Sequence, residues 1–349
     1  MREPLWPDAI GRLVRREDLP IAVVEQAMTA ILSGEATDAQ IAGFAVALRS
    51  KGETATELAA LVRTMLRFAE RVDLTGVDGP IIDTCGTGGD RAGTVNVSTM
   101  AALVAAAAGA RVAKHGGRAA SSQCGSADVL EALGVIIDLG PEGVARSIRE
   151  VGIGFCFAPR YHSGLRFAAT ARRELGTPTT FNFVAPLANP AGVKRQIVGV
   201  SDPTMAERLV AMLSELGAER ALVFYGHDGL DELTVTTTST VHELRDGEIS
   251  VYDVDPTALG IQYADLGALA GGDAAGNAEA VHKVLAGAAG PIRDIVALNA
   301  AAALLVADLV PDFGAGVELA GTILDDGRAA ATLDALVRVT VAARESGDA

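Results

Sequence analysis

The chain has 349 residues, 49% of them hydrophobic, 21% charged and 4% aromatic, with a formal net charge of −15. This suffices for one large α/β domain with a smaller helical attachment, and excludes a minimal or disordered chain. The negative charge disfavours a nucleic-acid backbone as partner, and the alanine-rich runs at 101–108 and 300–306 fall well short of the about 20 apolar residues that cross a bilayer.

The start of the chain carries acidic residues and prolines and has no apolar run ahead of a small-residue cleavage site, so a cytoplasmic protein with no membrane span is expected. Cys85, Cys124 and Cys156 are odd in number and lack CxxC spacing. They argue against a disulfide framework or a zinc site and fit a reducing compartment.

In chain order, the first 72 residues read as three amphipathic helices. Leu58, Leu61, Val62, Met65, Leu66 and Ala69 follow the i, i+3, i+4 spacing of one apolar face. Thr37 with Gln40 and Thr54 with Glu57 match capping boxes, and Gly34 and Gly52 supply stops. From Gly79 the pattern changes to short apolar runs, turns and helices, a βαβ signature. Strands are expected at Ile81-Ile82, Val112-Ala113, 135–137, 153–157 and 221–224, with helices near 99–109 and 204–216. Between Leu233 and Tyr252 the alternation is β-branched around Asp246-Gly247, which predicts an antiparallel hairpin on a mixed sheet. The last 80 or so residues read as largely helical.

Chemistry concentrates in three segments. Gly86-Thr87-Gly88-Gly89-Asp90 follows the first strand and leads to Asn96-Val97-Ser98-Thr99 at a helix start. Glycines let successive N–H groups approach phosphate oxygens, and the helix start adds donors. The spacing matches neither GxGxxG nor GxxxxGK[ST], so no dinucleotide or nucleoside-triphosphate fingerprint is present. Lys114-His115-Gly116-Gly117-Arg118, leading to Ser122 and Ser126, combines cations, glycines and hydroxyls suited to polyphosphate. Asp228-Gly229-Leu230-Asp231-Glu232 places carboxylates at a strand end, where they suit magnesium. Each segment taken singly is also compatible with an ordinary glycine turn, a solvated basic turn or a plain acidic turn.

Together, DTCGTGGD, NVST, KHGGRAASSQCGSADVLEALG, FAPRYH, RRELG, FNFVAPLANP and DGLDE resemble the anthranilate phosphoribosyltransferase family over nearly the whole chain. The resemblance implies a small helical domain, residues 1–72 plus a returning helix at about 163–178, joined by a hinge to a large domain, residues 73–349. That large domain is expected to be α/β, a mixed, mostly parallel sheet flanked by helices. Substrates bound between the domains, a homodimer through the helical domains, and magnesium are implied as well. The reaction implied is transfer of the phosphoribosyl group of phosphoribosyl pyrophosphate to the amine of anthranilate, with release of pyrophosphate, in tryptophan biosynthesis.

By motif match, Gly86, Gly89, Asp90, Thr94, Asn96, Ser98, Thr99, Lys114, Ser122 and Ser126 would contact phosphoribosyl pyrophosphate. Ser98, Asp231 and Glu232 would hold magnesium. Gly86, His115, Gly117 and Arg172 would face the aromatic acid, and Lys114, His115 and Arg172 would take part in catalysis. Gly117 departs from the asparagine of the family's KHGNR, Ala185 from the glycine of FNxxGPLxNP, and Ser163-Gly164 from a more frequent proline. These departures leave open a paralogue with another aromatic or heteroaromatic acceptor. A pyrimidine-nucleoside phosphorylase or a non-catalytic nucleic-acid-binding relative fits GTGGD and DGLDE less well.

Overall fold

Four helices rather than three open the computed structural model, which describes residues 4–119 and 123–347. They are α1 (Leu5–Val14), α2 (Ile21–Leu32), α3 (Asp38–Lys51) and α4 (Ala55–Phe68). The unexpected one is α1. Its first turn includes Pro7 and is preceded by Pro4, and a proline within the first turn removes no intrahelical hydrogen bond. Both predicted capping boxes form, Thr37 with Gln40 and Thr54 with Glu57. Val24, Met28 and Ile31 share one buried apolar cluster with Leu58, Leu61, Val62 and Met65.

The rest of the chain alternates strand and helix: β1 (Ile81–Gly86), α5 (Val97–Ala107), β2 (Arg111–Gly116), α6 (Ser126–Ala132), α7 (Pro141–Val151) and β3 (Ile153–Phe157). Short α8 (Ala158–Tyr161), α9 (Ala169–Leu175) and α10 (Thr180–Val184) precede β4 (Arg195–Gly199), α11 (Pro203–Glu215) and β5 (Arg220–Gly226). The hairpin β6 (Ser239–Arg245) and β7 (Glu248–Val254) follows, then α12 (Ala274–Leu285), α13 (Pro291–Val306), α14 (Phe313–Asp325) and α15 (Arg328–Glu345).

The seven strands form one sheet in the order β3-β2-β1-β4-β5-β6-β7, the first five parallel and the hairpin antiparallel. Asp246 and Gly247 both take positive φ, 52° and 83°, as a tight hairpin turn matching the strand twist requires. The chain builds outward from β1 to β3 and then restarts at β4 on the other side of β1. That reversal puts a crevice at the carboxyl ends of β1 and β4, where open α/β sheets bind ligands.

Two strand expectations are corrected. Residues 135–137 are not a strand: Val135 and Ile137 are buried, and the Ile136 N–H donates to Thr340 Oγ1 at 3.1 Å instead of to a neighbouring strand. A short apolar run does not by itself distinguish a strand from a buried connection. Conversely, β4 is absent from the expected strands, because Arg195 and the buried Gln196 interrupt its apolar pattern, although it pairs with both β1 and β5.

After α8 the chain returns to the helical bundle. A 3₁₀ turn at Ser163–Ala168 packs on α2, and α9 packs on α3. A Cβ on Gly164 would lie 2.8 Å from the Leu32 carbonyl, so this close approach requires glycine. The Ser163-Gly164 departure is therefore accounted for by packing against the helical bundle.

Candidate active site

The glycine loop leaves β1 at the reversal point. A Cβ on Gly86 would lie 2.5 Å from Asp231 Oδ2, and one on Gly199, at the end of β4, would lie 1.6 Å from the Asp231 carbonyl oxygen. Both strand ends must be glycine because the Asp231 segment is wedged against them. The Gly88 N–H donates to Asp231 Oδ2 at 2.7 Å, joining positions 143 residues apart. Gly88 and Gly89 hold φ of 68° and 92°, a conformation open to glycine at little cost.

Beyond the loop, Thr94 is tied to Ala270 by an isolated β-bridge. Asn96 donates to the Cys124 carbonyl at 3.1 Å and accepts from Asn277 Nδ2 at 2.8 Å. Ser126 donates to the Gly117 carbonyl at 3.3 Å, which brings the 114–118 segment to the start of α6. The buried hydroxyls of Thr87 and Thr99 have no hydrogen-bond partner, a feature that suits a polar ligand. Ser122 lies outside the described residues.

Beneath the loop the sheet is split. Strands β1 and β2 pair only at Ile81–Ile82 with Arg111–Val112. Above that point side chains replace the backbone ladder. Asp83 Oδ1 accepts the His115 N–H at 3.0 Å, and Asn189 Nδ2 lies 2.8 Å from Asp83 Oδ2 and 2.7 Å from the Ala113 carbonyl. Lys114 Nζ crosses the split to donate to the Thr84 carbonyl at 2.6 Å and to Ser98 Oγ at 3.3 Å. Asp83, Lys114, His115 and Asn189 are each at most 2% exposed. Burial raises Asp83 to about 6 against the opposing pull of Lys114, and burial lowers Lys114 while Asp83 holds it up. Each ion is therefore the other's main compensation.

The carboxylates of Asp231 and Glu232 are also buried. Burial, then the charge of Asp90, pushes Asp231 up to about 7; burial and the charge of Asp231 push Glu232 well above the usual carboxylate range. The Ser98 N–H supports Glu232. Among the described residues no three His, Cys, Asp or Glu side chains are arranged to hold a metal ion. Two adjacent acids short of positive charge suit a hard cation that takes one or two carboxylates and completes its shell with other oxygens. Asp228 is not part of this pair, since its carboxylate accepts the Thr234 hydroxyl at 2.6 Å, the Thr236 hydroxyl and the Leu230 N–H at 3.1 Å, closing its own turn.

The other side of Lys114 differs in character. His115 Nδ1 lies 3.0 Å from the Pro186 carbonyl, which can only accept, so Nδ1 carries the proton and Nε2 presents a lone pair. Nε2 is buried without a partner. Burial lowers His115 to about 4, and His162, edge-on to it with ring centroids 5.1 Å apart, to about 3. Both rings are neutral at pH 7. Among the described residues nothing approaches a Cβ built on Gly117 more closely than Ala158 Cβ, at 3.9 Å. Arg172, on α9, is partly buried and forms no ion pair or hydrogen bond among the described residues, and burial lowers its pKa.

The structure thus joins Gly86, Asp90, Ser98, Lys114, Asp231 and Glu232 in one polar cluster through direct contacts or short-range charge effects. No contact of Arg172 with that cluster is present among the described residues. Sequence reasoning missed Asp83, His162, Asn189, Ser201 and Asn277. Asp83, His162 and Asn189 sit inside DTCGTGGD, FAPRYH and FNFVAPLANP, but their partners are supplied by distant parts of the chain.

The chain matches the family described as "Glycosyl transferase family, helical bundle domain" over residues 7–69 and "Glycosyl transferase family, a/b domain" over residues 78–330. It is 55% identical over 347 residues to an anthranilate phosphoribosyltransferase of Acidothermus cellulolyticus, spanning 98% of this chain and 97% of that one. It is 53% identical over 340 residues to one of Nocardioides sp., spanning 96% and 98%. Among solved structures it is similar to anthranilate phosphoribosyltransferase from Thermus thermophilus, with a TM-score of 0.90, 40% identity and 96% and 99% of the two chains covered. The Saccharomyces cerevisiae enzyme in complex with PRPP and Mg matches with a TM-score of 0.89, 26% identity and 97% and 99% coverage.

Proposed function

The chain belongs to the anthranilate phosphoribosyltransferase family, and from that premise we propose that it moves the phosphoribosyl group of phosphoribosyl pyrophosphate onto the amine of anthranilate, releasing pyrophosphate. The observation that carries this reading is the contact between the Gly88 N–H and the Asp231 carboxylate, which joins the glycine loop to the paired acids at one strand end. Gly86, Gly89, Asp90, Thr94, Asn96, Ser98, Thr99, Lys114, Ser122 and Ser126 bind the donor. Ser98, Asp231 and Glu232 would hold magnesium, which when bound would supply neutralising charge at the pyrophosphate.

Lys114, kept charged by Asp83, adds a fixed cation where negative charge builds on the leaving group. Arg172 pairs with the carboxylate of the acceptor and orients its ring. His115 Nε2, a lone pair held in place by the Pro186 carbonyl, accepts an N–H of the arylamine and aims the nitrogen lone pair at the anomeric carbon. The C–N bond forms as the C–O bond to pyrophosphate breaks, and the amine then loses a proton. An arylamine is already unprotonated at neutral pH, so a weakly basic His115 suffices. Gly117 leaves space for the acceptor, and Gly86, whose missing side chain makes room for Asp231, meets it through its backbone.

The test is to mix protein, magnesium, phosphoribosyl pyrophosphate and anthranilate and to follow loss of anthranilate fluorescence together with pyrophosphate release. The expected result is both signals, abolished by a chelator. The open space beside Gly117 favours one second reading, a different aromatic acid as acceptor; it wins if pyrophosphate is released with another such acid and not with anthranilate.

A homodimer formed through the helical domains is part of the same proposal, supported by exposed Val14, Ile21 and Val46 on that bundle. Light scattering that returns a single 35.7 kDa species would oppose it. Three buried cysteines that form no disulfide among the described residues, and the net charge of −15, support a cytoplasmic setting, with small molecules rather than nucleic acid or membrane as partners. No helix among the described residues is long and apolar enough to cross a membrane.

A further inference from the structure

We infer that Arg49, on α3 of the helical bundle, is a positioning residue for the donor: it acts through Asp202 and Ser201 to hold Gly88, and with it the glycine loop, in the conformation that the donor meets. The inference rests on the functional reading above. The Arg49 guanidinium reaches out of the bundle, with Nη2 paired to Asp202 at the start of α11 and Nη1 3.2 Å from Glu53 and 3.0 Å from Met205 Sδ. Its face lies over the Phe183 ring, 4.8 Å from the centroid.

Asp202 is held at both oxygens. Oδ1 caps α11 by accepting the Thr204 N–H at 3.0 Å and its hydroxyl at 2.7 Å, while Oδ2 takes Arg49. The preceding residue, Ser201, donates its hydroxyl to the Gly88 carbonyl at 2.9 Å. Gly88 is therefore gripped on both sides, its carbonyl by Ser201 and its N–H by Asp231 at 2.7 Å. Gly88 and Gly89, at φ of 68° and 92°, have many alternative conformations, so the loop needs external contacts to stay in this one. Rotation of Ser201 would release the Gly88 carbonyl and free the loop to leave this conformation. Among the described residues Arg49 forms no hydrogen bond or ion pair with the glycine loop, and its influence passes through two neighbouring side chains.

Glu53 also accepts from Thr180 Oγ1 at 2.6 Å and from Arg208 Nη1 at 3.2 Å, so it keeps partners when Arg49 is replaced. Arg49→Met thereby tests positioning with a limited effect on docking of the bundle. Asp202→Asn is the gentler probe, because an amide oxygen can still cap α11 while the ion pair is lost.

The experiment measures Kd for magnesium–phosphoribosyl pyrophosphate by calorimetry, and both KM values in steady state, for wild type, Arg49→Met, Asp202→Asn, Ser201→Ala and the Arg49→Met/Ser201→Ala double variant. Each single change is expected to weaken donor binding about 3- to 10-fold, with KM for anthranilate within about twofold of wild type. The double variant should weaken binding by much less than the product of the singles, because both act through one contact. Donor Kd within about twofold of wild type for both Arg49→Met and Asp202→Asn would overturn the inference, as would fully multiplicative effects. Absence of anthranilate turnover by wild type would instead overturn the functional reading, while donor Kd still decides the role of Arg49.

Discussion

The two sides of Lys114 are built on opposite plans. On the donor side almost every polar group is already engaged by another part of the chain: Gly88 with Asp231, Asn96 with Asn277, Lys114 with Thr84 and Asp83. On the acceptor side the groups are unengaged, with the buried His115 Nε2 and Arg172 lacking partners among the described residues and Gly117 carrying no side chain. A highly charged ligand needs donors and acids held in place beforehand, since reorganising them during reaction is costly. A small aromatic acid needs only a cation, a lone pair and space. The difference predicts that damage on the donor side appears in turnover and damage on the acceptor side in acceptor KM.

The largest effect is expected at the acid pair. Asp231→Asn or Glu232→Gln should lower turnover about 100-fold or more, measured as pyrophosphate release across a magnesium titration. The same changes should raise the melting temperature measured without magnesium, because each removes one of three mutually repelling carboxylates, two of them buried. Full turnover with lowered stability would mean that these acids are structural and would erase the contrast between the two sides.

Arg172→Met comes next. Hydrogen bonds to a charged group are worth about 1.5–3 kcal/mol, so acceptor KM should rise about 10- to 150-fold while donor KM moves by less than about twofold. Equal changes in both constants would place Arg172 outside the acceptor half.

Much of the donor side is legible in the sequence itself, because its residues lie in contiguous segments whose types state their chemistry: glycines for close approach, paired acids for a cation. The capping boxes and the β6–β7 hairpin are legible for the same local reason. What escapes is non-local. Asp83 and Asn189 fill a split between β1 and β2 that no periodicity announces, and Asn277 reaches Asn96 from 181 positions away. A strand such as β4, crossed by Arg195 and Gln196, hides for a related reason: pairing on both edges compensates for a weak local pattern.

The histidine pair gives a pH test of moderate size. His115 and His162 are lowered to about 4 and about 3, so between pH 6.5 and these values the folded state binds fewer protons than the unfolded one. Their contribution to stability is present above pH 6.5 and is lost as pH falls. Asp83, raised to about 6, works the other way, gaining stability as pH falls from 6 toward its unfolded value. Asp231 and Glu232, also raised by burial, add to the gain from Asp83, so the loss from the histidines, about 2 kcal/mol each between pH 6.5 and 5, is read from a variant and not from the wild-type slope. His162→Gln keeps a donor for the Ala188 carbonyl and should gain melting temperature relative to wild type as pH falls over that range. An unchanged slope would show that this ring is not among the groups that acid must charge.

The smallest effect is expected at Gly117, and it separates the two acceptor readings. Gly117 is not at positive φ, and the nearest atom to an added Cβ, Ala158 Cβ, lies at an ordinary contact distance of 3.9 Å. Gly117→Asn should therefore fold with a melting temperature close to that of wild type. If anthranilate is the acceptor and the missing amide is simply a lost neutral hydrogen bond, restoring it lowers anthranilate KM by about 2- to 13-fold. If the open space instead admits a bulkier aromatic acid, the added side chain obstructs it, and turnover of that acid falls while anthranilate is used as well or better. Steady-state kinetics with anthranilate and a ring-substituted analogue, run on both proteins, distinguish the outcomes by the sign of the change, since a filled cavity and a gained hydrogen bond move the two acceptors in opposite directions.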